Sequence, residues 1–177
     1  LTLVNDLLDV RKAEEGRLEE LNPCIACLQG CVANMFKGEP ICCLTNPFLG
    51  HEAEQLVKAE TPKKVMVIGG GVAGLSAAFI SAERGHEVTV YESSDTLGGN
   101  MRLAAFPPGK GDITNMIRSY IHRCEKDGVT LLTNHPVTLD FIKEQNPDAV
   151  IVATGSKTLI LPIEGIEDEA IIHASDL

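Results

Sequence analysis

The feature that most limits what this chain can fold into is a glycine pattern at residues 69–74. The run Val65-Met66-Val67-Ile68-Gly69-Gly70-Gly71-Val72-Ala73-Gly74 holds G-x-G-x-x-G at Gly69, Gly71 and Gly74. The hexapeptide alone is a weak signal, but here its context is complete. Four apolar residues precede it, as in a strand buried on both faces. A small-residue helix follows, and Glu92 closes the next strand. Each part has a physical reason. Gly69 permits the tight turn, Gly71 lets the backbone approach a pyrophosphate, and Gly74 lets the helix pack closely on the strand. Val72 and Ala73 open that helix, whose N-terminal N–H groups and dipole favour phosphate. The Glu92 carboxylate, with Ser93 beside it, can accept from a ribose hydroxyl. It would repel a 2′-phosphate, which disfavours NADP at this site.

From residue 63 onward, strands alternate with helices. The pattern predicts strands at 65–68, 87–91, 129–132 and 149–152, and helices at 72–84, 113–126 and 138–145. Ile113, Met116, Ile117, Tyr120, Ile121 and Cys124 fall on one face of the 113–126 helix. This order implies an α/β fold with a parallel sheet, a Rossmann-like dinucleotide-binding domain over residues 63–177. Ahead of it lie three further segments. Residues 1–21 read as a helix, with an apolar stripe at Leu3, Val4, Leu7 and Leu8. Residues 22–50 read as an irregular loop rich in Cys, Gly, Pro and Asn. Residues 51–62 read as a polar helical linker.

Composition closes off several functions. The formal charge of −10 opposes phosphate-backbone binding, and the absence of Trp leaves little for base stacking, so no nucleic-acid role is expected. No apolar run approaches the roughly 20 residues of a membrane span. The first residues do not read as a signal peptide. The five histidines (His51, His86, His122, His135 and His173) read as surface residues.

Five of the six cysteines fall within 20 residues: Cys24, Cys27, Cys31, Cys42 and Cys43. A secreted disulfide scaffold spreads its cysteines, so this clustering favours a metal site in a cytoplasmic protein. The spacing C-x2-C-x3-C followed by a distant fourth differs from the paired C-x2-C of structural zinc sites. It suits a cubane, whose irons each take one thiolate. Zinc and free redox thiols are the other readings, and Cys42 competes with Cys43 for the fourth place. Ala26 and Gly30 are small enough for backbone N–H groups to approach the sulfurs. Cys124, on the apolar helix face, reads as core.

The motifs taken in order resemble one family. Asn22-Pro23-Cys24-Ile25-Ala26-Cys27-Leu28-Gln29-Gly30-Cys31 is followed by Cys43-Leu44-Thr45-Asn46-Pro47 and Gly50-His51-Glu52, then the Gly69 fingerprint and Pro107-Pro108-Gly109-Lys110. The chain is similar to the old-yellow-enzyme-like bacterial 2,4-dienoyl-CoA reductases, 2-enoate reductases and trimethylamine dehydrogenases over nearly its whole length. That resemblance implies a 4Fe-4S cluster on Cys24, Cys27, Cys31 and Cys43. It implies FAD at the fingerprint, with contacts from Ala73, Glu92, Asn100, Lys110 and Val137. The Leu97-Gly98-Gly99-Asn100 turn and the Ala153-Thr154-Gly155 turn resemble the FAD domains of two-dinucleotide reductases, which adds Gly99, Ala153, Thr154 and Gly155. Asn100 stands where Gln is commoner. Lys110 reads equally as a solvated lysine, and one branch of the family holds ADP instead of FAD. The resemblance further implies an FMN-bearing (β/α)8 barrel and an NAD(P)H domain as partners in the same polypeptide, both outside this chain. The chain begins at Leu1 and ends near where the NAD(P)H domain would start, so it reads as an electron-transfer fragment inactive by itself. The alternatives are a module resembling the glutamate synthase small chain and a non-catalytic zinc and ADP module.

Overall fold

The computed structural model describes residues 10–51 and 56–172. A four-stranded, all-parallel sheet is built from β1 (Lys64–Ile68), β2 (Glu87–Tyr91), β3 (Thr130–Leu132) and β4 (Ala149–Val152) in the order β3-β2-β1-β4. The register pairs Val65 with Val88 and with Ala149 across the central strand. Among the described residues, the sheet is accompanied by α1 (Val32–Lys37), α2 (Val72–Glu83), α3 (Met101–Ala104), α4 (Asp112–Lys126) and α5 (Leu139–Gln145). The expected α/β class, parallel sheet and strand positions are borne out. Parallel neighbours cannot be joined by a hairpin, so each step between strands runs through a helix-bearing crossover.

Packing explains why these segments settle as they do. Val65 and Val67 of β1 lie in one core with Leu75, Ala78 and Phe79 of α2 and with Ile113, Met116, Ile117, Tyr120 and Cys124 of α4. The Phe79 and Tyr120 rings meet edge to face at 5.3 Å. An aromatic pair of this kind adds about 1 kcal/mol beyond its area burial. Arg123 lays its guanidinium 3.9 Å from the centre of the Phe79 ring, closing the same face with a cation–π contact. Cys124 is fully buried, and loss of hydration pushes its thiol up to about 12. It is core, as its helix face implied.

Two expectations need correction. The 22–50 segment contains α1, ended by Gly38 in the left-handed region at φ +71°. In the linker, residues 56–61 are not helical. Their backbone is taken up by the end of α2: the Ala59 N–H donates to Arg84 O at 2.8 Å, and Arg84 Nε donates to Val57 O at 3.2 Å. Tertiary hydrogen bonding overrides local helix propensity there. Of the expected 1–21 helix, residues 10–14 are helical and Leu18–Glu20 form a 3-10 turn. The stripe at Leu3, Val4, Leu7 and Leu8 lies outside the described residues, as do 52–55. No helix among the described residues is long and apolar enough to cross a membrane.

Candidate functional site

The β1–α2 turn opens on a cleft of about 660 Å3 at the C-terminal ends of the strands, where open α/β sheets bind ligands. Its size falls within the ~300–1,000 Å3 of small-molecule sites. Twelve of the residues expected to touch a cofactor line it: Gly69, Gly71, Val72, Ala73, Glu92, Ser93, Gly99, Asn100, Val137, Ala153, Thr154 and Gly155.

Gly74 lies beneath the turn, not on the cleft wall. A β-carbon there would sit 1.9 Å from Gly69 O. Only a bare Cα lets α2 approach its own turn that closely. A β-carbon on Gly71, by contrast, would meet no protein atom nearer than Gly99 Cα at 4.0 Å. The space over Gly71 therefore belongs to the cleft and leaves its backbone open to a ligand. α2 starts there without a side-chain cap, so the N–H groups of its first turn face the same opening.

Glu92 is held by the turn it serves. Its Oε2 accepts from Gly70 N at 2.7 Å, and its Oε1 accepts from Ser94 N at 2.8 Å and from the Ser94 and Ser93 hydroxyls at 2.9 and 3.2 Å. Partial burial pushes its carboxyl up, but the Ser94 and Gly70 N–H groups and the serine hydroxyls outweigh this and hold it below its ordinary 4.5. A depressed pKa adds stability above the unfolded value, and that contribution is lost as pH falls through the folded value. Acid titration below about pH 4.5 is therefore expected to lower the unfolding temperature of the natural chain more steeply than that of Glu92→Gln. At neutral pH, Glu92→Gln is expected to weaken adenine dinucleotide binding about tenfold, read by fluorescence titration, through loss of a charged acceptor.

Lys110, like Gly74, is an expected contact that does not line the cleft. The Pro107-Pro108-Gly109 turn carries it to the exposed entrance of α4, where its N–H donates to Pro107 O at 3.1 Å. Sequence reasoning missed Tyr91, Thr96, Arg102 and His135 on the wall. His135 is not an isolated surface histidine. Its ring lies 5.1 Å from Tyr91 and 5.0 Å from Phe141. Tyr91 at the end of β2, one residue before Glu92, was the available signal. Asn100 reaches across the cleft, its Nδ2 donating to Ser156 O at 3.3 Å.

The second site is the cysteine loop. Cys24, Cys27, Cys31, Cys42 and Cys43 all border one small hollow of about 40 Å3, with Ile25, Leu28 and Leu44 as its apolar wall. Gly30 allows the loop to cross itself: a β-carbon there would fall 2.5 Å from Cys42 O. The Ala26 N–H points at Cys24 Sγ at 3.4 Å, a backbone-to-sulfur contact of the kind expected near Ala26. Ala26 and Leu28 both sit at positive φ, 52° and 58°. Strain at non-glycine residues of this kind gathers at ligand clamps. Among the described residues, no three His, Cys, Asp or Glu side chains are grouped as for a single metal ion.

The two sites share a helix. Met101, from the wall of the cleft, and Leu97, in the turn just before Gly98, pack on the core that contains Ile113 and Ile117 of α4. One turn further on, the Tyr120 hydroxyl donates to Thr45 O at 3.2 Å, and the Ser119 hydroxyl donates to Leu21 O at 2.9 Å. The cysteine loop is thereby fastened to the helix that braces the cleft.

Residues 63–177 match the family model described as pyridine nucleotide-disulphide oxidoreductase. The chain is 38% identical over 171 residues to a metal reductase of Desulforamulus reducens, an alignment covering 94% of this chain and 26% of the relative. It is 38% identical over 157 residues to a cinnamate reductase of Clostridium sporogenes, covering 88% of this chain and 24% of that one. Among solved structures, a 2-naphthoyl-CoA reductase complex superposes with a TM-score of 0.87 at 37% identity, over 94% of this chain and 26% of that chain. The chain thus spans about a quarter of the length of the relatives it matches.

Proposed function

Because the chain belongs to the pyridine nucleotide-disulphide oxidoreductase family, in the old-yellow-enzyme-like line of 2,4-dienoyl-CoA reductases that its motifs resemble, we propose that it is the electron-transfer segment of a larger flavin oxidoreductase. In this reading the Gly69–Gly74 cleft holds FAD, and Cys24, Cys27, Cys31 and Cys43 hold a 4Fe-4S cluster. An FMN barrel and an NAD(P)H domain, on parts of the polypeptide outside this chain, would complete the enzyme.

The observation that carries the proposal is the single helix α4, which braces both sites. A ligand in the cleft and a cluster in the loop would be held at a fixed separation by one rigid element. The cleft residues fit a dinucleotide in kind. Gly71 leaves room for a pyrophosphate, and Val72 and Ala73 begin a helix whose N–H groups point at it. Glu92, ionised and pinned, offers acceptors to a ribose. The cysteine loop supplies the donor set of a cluster, since five cysteines border one hollow and a cubane takes one thiolate on each of four irons. When bound, FAD exchanges hydride with a nicotinamide and passes electrons onward singly, and the cluster is a one-electron carrier. The protein's part is to hold the two, to shield the cluster with Ile25, Leu28 and Leu44, and to keep Glu92 charged.

Protein prepared without oxygen tests the reading. About four irons per chain, a brown colour with a flavin band, and one paramagnetic signal on reduction are expected. A colourless protein with one zinc would instead support a non-catalytic zinc and ADP module. More iron than one cluster holds would support a glutamate synthase-like electron-entry module.

A further inference from the structure

We propose that Thr45 is a positioning residue that tunes the cluster: its buried hydroxyl donates a hydrogen bond to the Cys43 sulfur when that sulfur is bound to iron. The inference rests on the cluster reading above and assigns a role to a residue outside the ligand set.

Thr45 is 2% exposed, among the most buried polar residues described. Its hydroxyl stands between two partners, Cys43 Sγ at 3.4 Å and Pro23 O at 3.1 Å. Pro23 directly precedes Cys24, so the hydroxyl lies between the carbonyl just before the first expected ligand and the sulfur of the last. Its position is fixed from behind, because Tyr120 of α4 donates to Thr45 O at 3.2 Å. The side chain is held in place while its hydroxyl proton remains free to turn.

A threonine hydroxyl has one proton to give and two lone pairs to accept with. A carbonyl such as Pro23 O can only accept. A free Cys43 thiol can donate to Thr45 Oγ1, which leaves the hydroxyl proton for Pro23 O. An iron-bound sulfur has no proton and can only accept, so a hydroxyl turned toward it is the arrangement that pairs with the added charge. A hydrogen bond to a charged acceptor is the stronger of the two. Reduction places more negative charge on the cluster and its sulfurs. A donor to Cys43 Sγ therefore favours the reduced form and raises the midpoint potential.

The test is a potentiometric titration followed by electron paramagnetic resonance, on the cluster-loaded protein at its natural length. Thr45→Val keeps the β-branched shape and removes the donor, and Thr45→Ala removes it without any risk of overpacking. Both are expected to shift the midpoint to lower potential with iron content unchanged, while Thr45→Ser, which keeps a hydroxyl, stays at the natural value. A natural-value midpoint in either the valine or the alanine variant would overturn the role. So would a serine variant displaced as far as the alanine, because that would make the methyl group and its packing the cause. Natural protein that loads no iron removes the cluster reading and this role together. Natural protein that loads iron, with variants that do not shift, removes only the role.

Discussion

Gly74→Ala is expected to abolish dinucleotide retention and to lower stability by about 3 kcal/mol, at the upper end of ordinary overpacking. The new methyl would stand 1.9 Å from Gly69 O and 3.3 Å from Val67 Cγ1. The first of these is a backbone atom of the turn itself and cannot swing aside as a side chain does. Relief requires α2 to move off β1. Leu75, Ala78 and Phe79 would then withdraw from Val65 and Val67, and the N–H groups at the start of the helix would leave the cleft. Thermal unfolding and the flavin retained after gel filtration check the two effects separately. A midpoint lowered by roughly 10 °C with flavin lost is the expected result, at a few degrees per kcal/mol for a domain of this size. Gly71→Ala provides the contrast. Its methyl would meet nothing nearer than Gly99 Cα at an unstrained 4.0 Å, so stability is expected to hold while dinucleotide affinity falls.

The second large effect is expected at the fourth cysteine. Both Cys42 and Cys43 border the hollow, and their surroundings differ. Cys43 is half-buried, its Sγ beside the Thr45 hydroxyl that reaches to Pro23. Cys42 is exposed and lies against Gly30, with Asn34 Nδ2 at 3.9 Å from its Sγ. Cys43→Ser is therefore expected to reduce iron from about four per chain to near zero in anaerobic preparations, since each iron of a cubane needs its own thiolate. Cys42→Ser is expected to keep the full complement. Iron assay and the visible spectrum of the two variants, prepared side by side, decide between them. Loss of iron in Cys42→Ser with retention in Cys43→Ser would exchange their roles.

Much of the fold and of the cleft is legible in the residues themselves, and for particular reasons. Val65-Met66-Val67-Ile68 reads as a central strand because nothing polar interrupts it, and it pairs on both sides. The α4 face is readable because its apolar residues keep helical spacing through Cys124. The glycine roles follow from backbone geometry alone: a β-carbon added at Gly74 would fall 1.9 Å from Gly69 O. What the sequence hides depends on distant partners. Residues 56–61 have helix-compatible composition, but their hydrogen bonds go to the end of α2. Lys110 has a residue type suited to a phosphate, but the turn before it sets its backbone at the exposed start of α4. His135 reads as solvated because Tyr91 and Phe141 are not its sequence neighbours. The burial of Thr45 beside Cys43 is not local: Pro23 and Tyr120, which fix its place, are 22 and 75 residues away. For α1 a signal is present in Gly38, a natural helix stop that closes a six-residue run without breakers.

The central claim is that a flavin in the glycine-lined cleft and a cluster in the cysteine loop exchange electrons through this chain. Rapid photoreduction of the bound flavin under anaerobic conditions, followed by freeze-quenching and paramagnetic resonance, tests it most directly. The reduced-cluster signal is expected to grow as the flavin band recovers, at a rate independent of protein concentration. A flavin that stays reduced beside an oxidised cluster, or a transfer rate that rises with protein concentration, would contradict it.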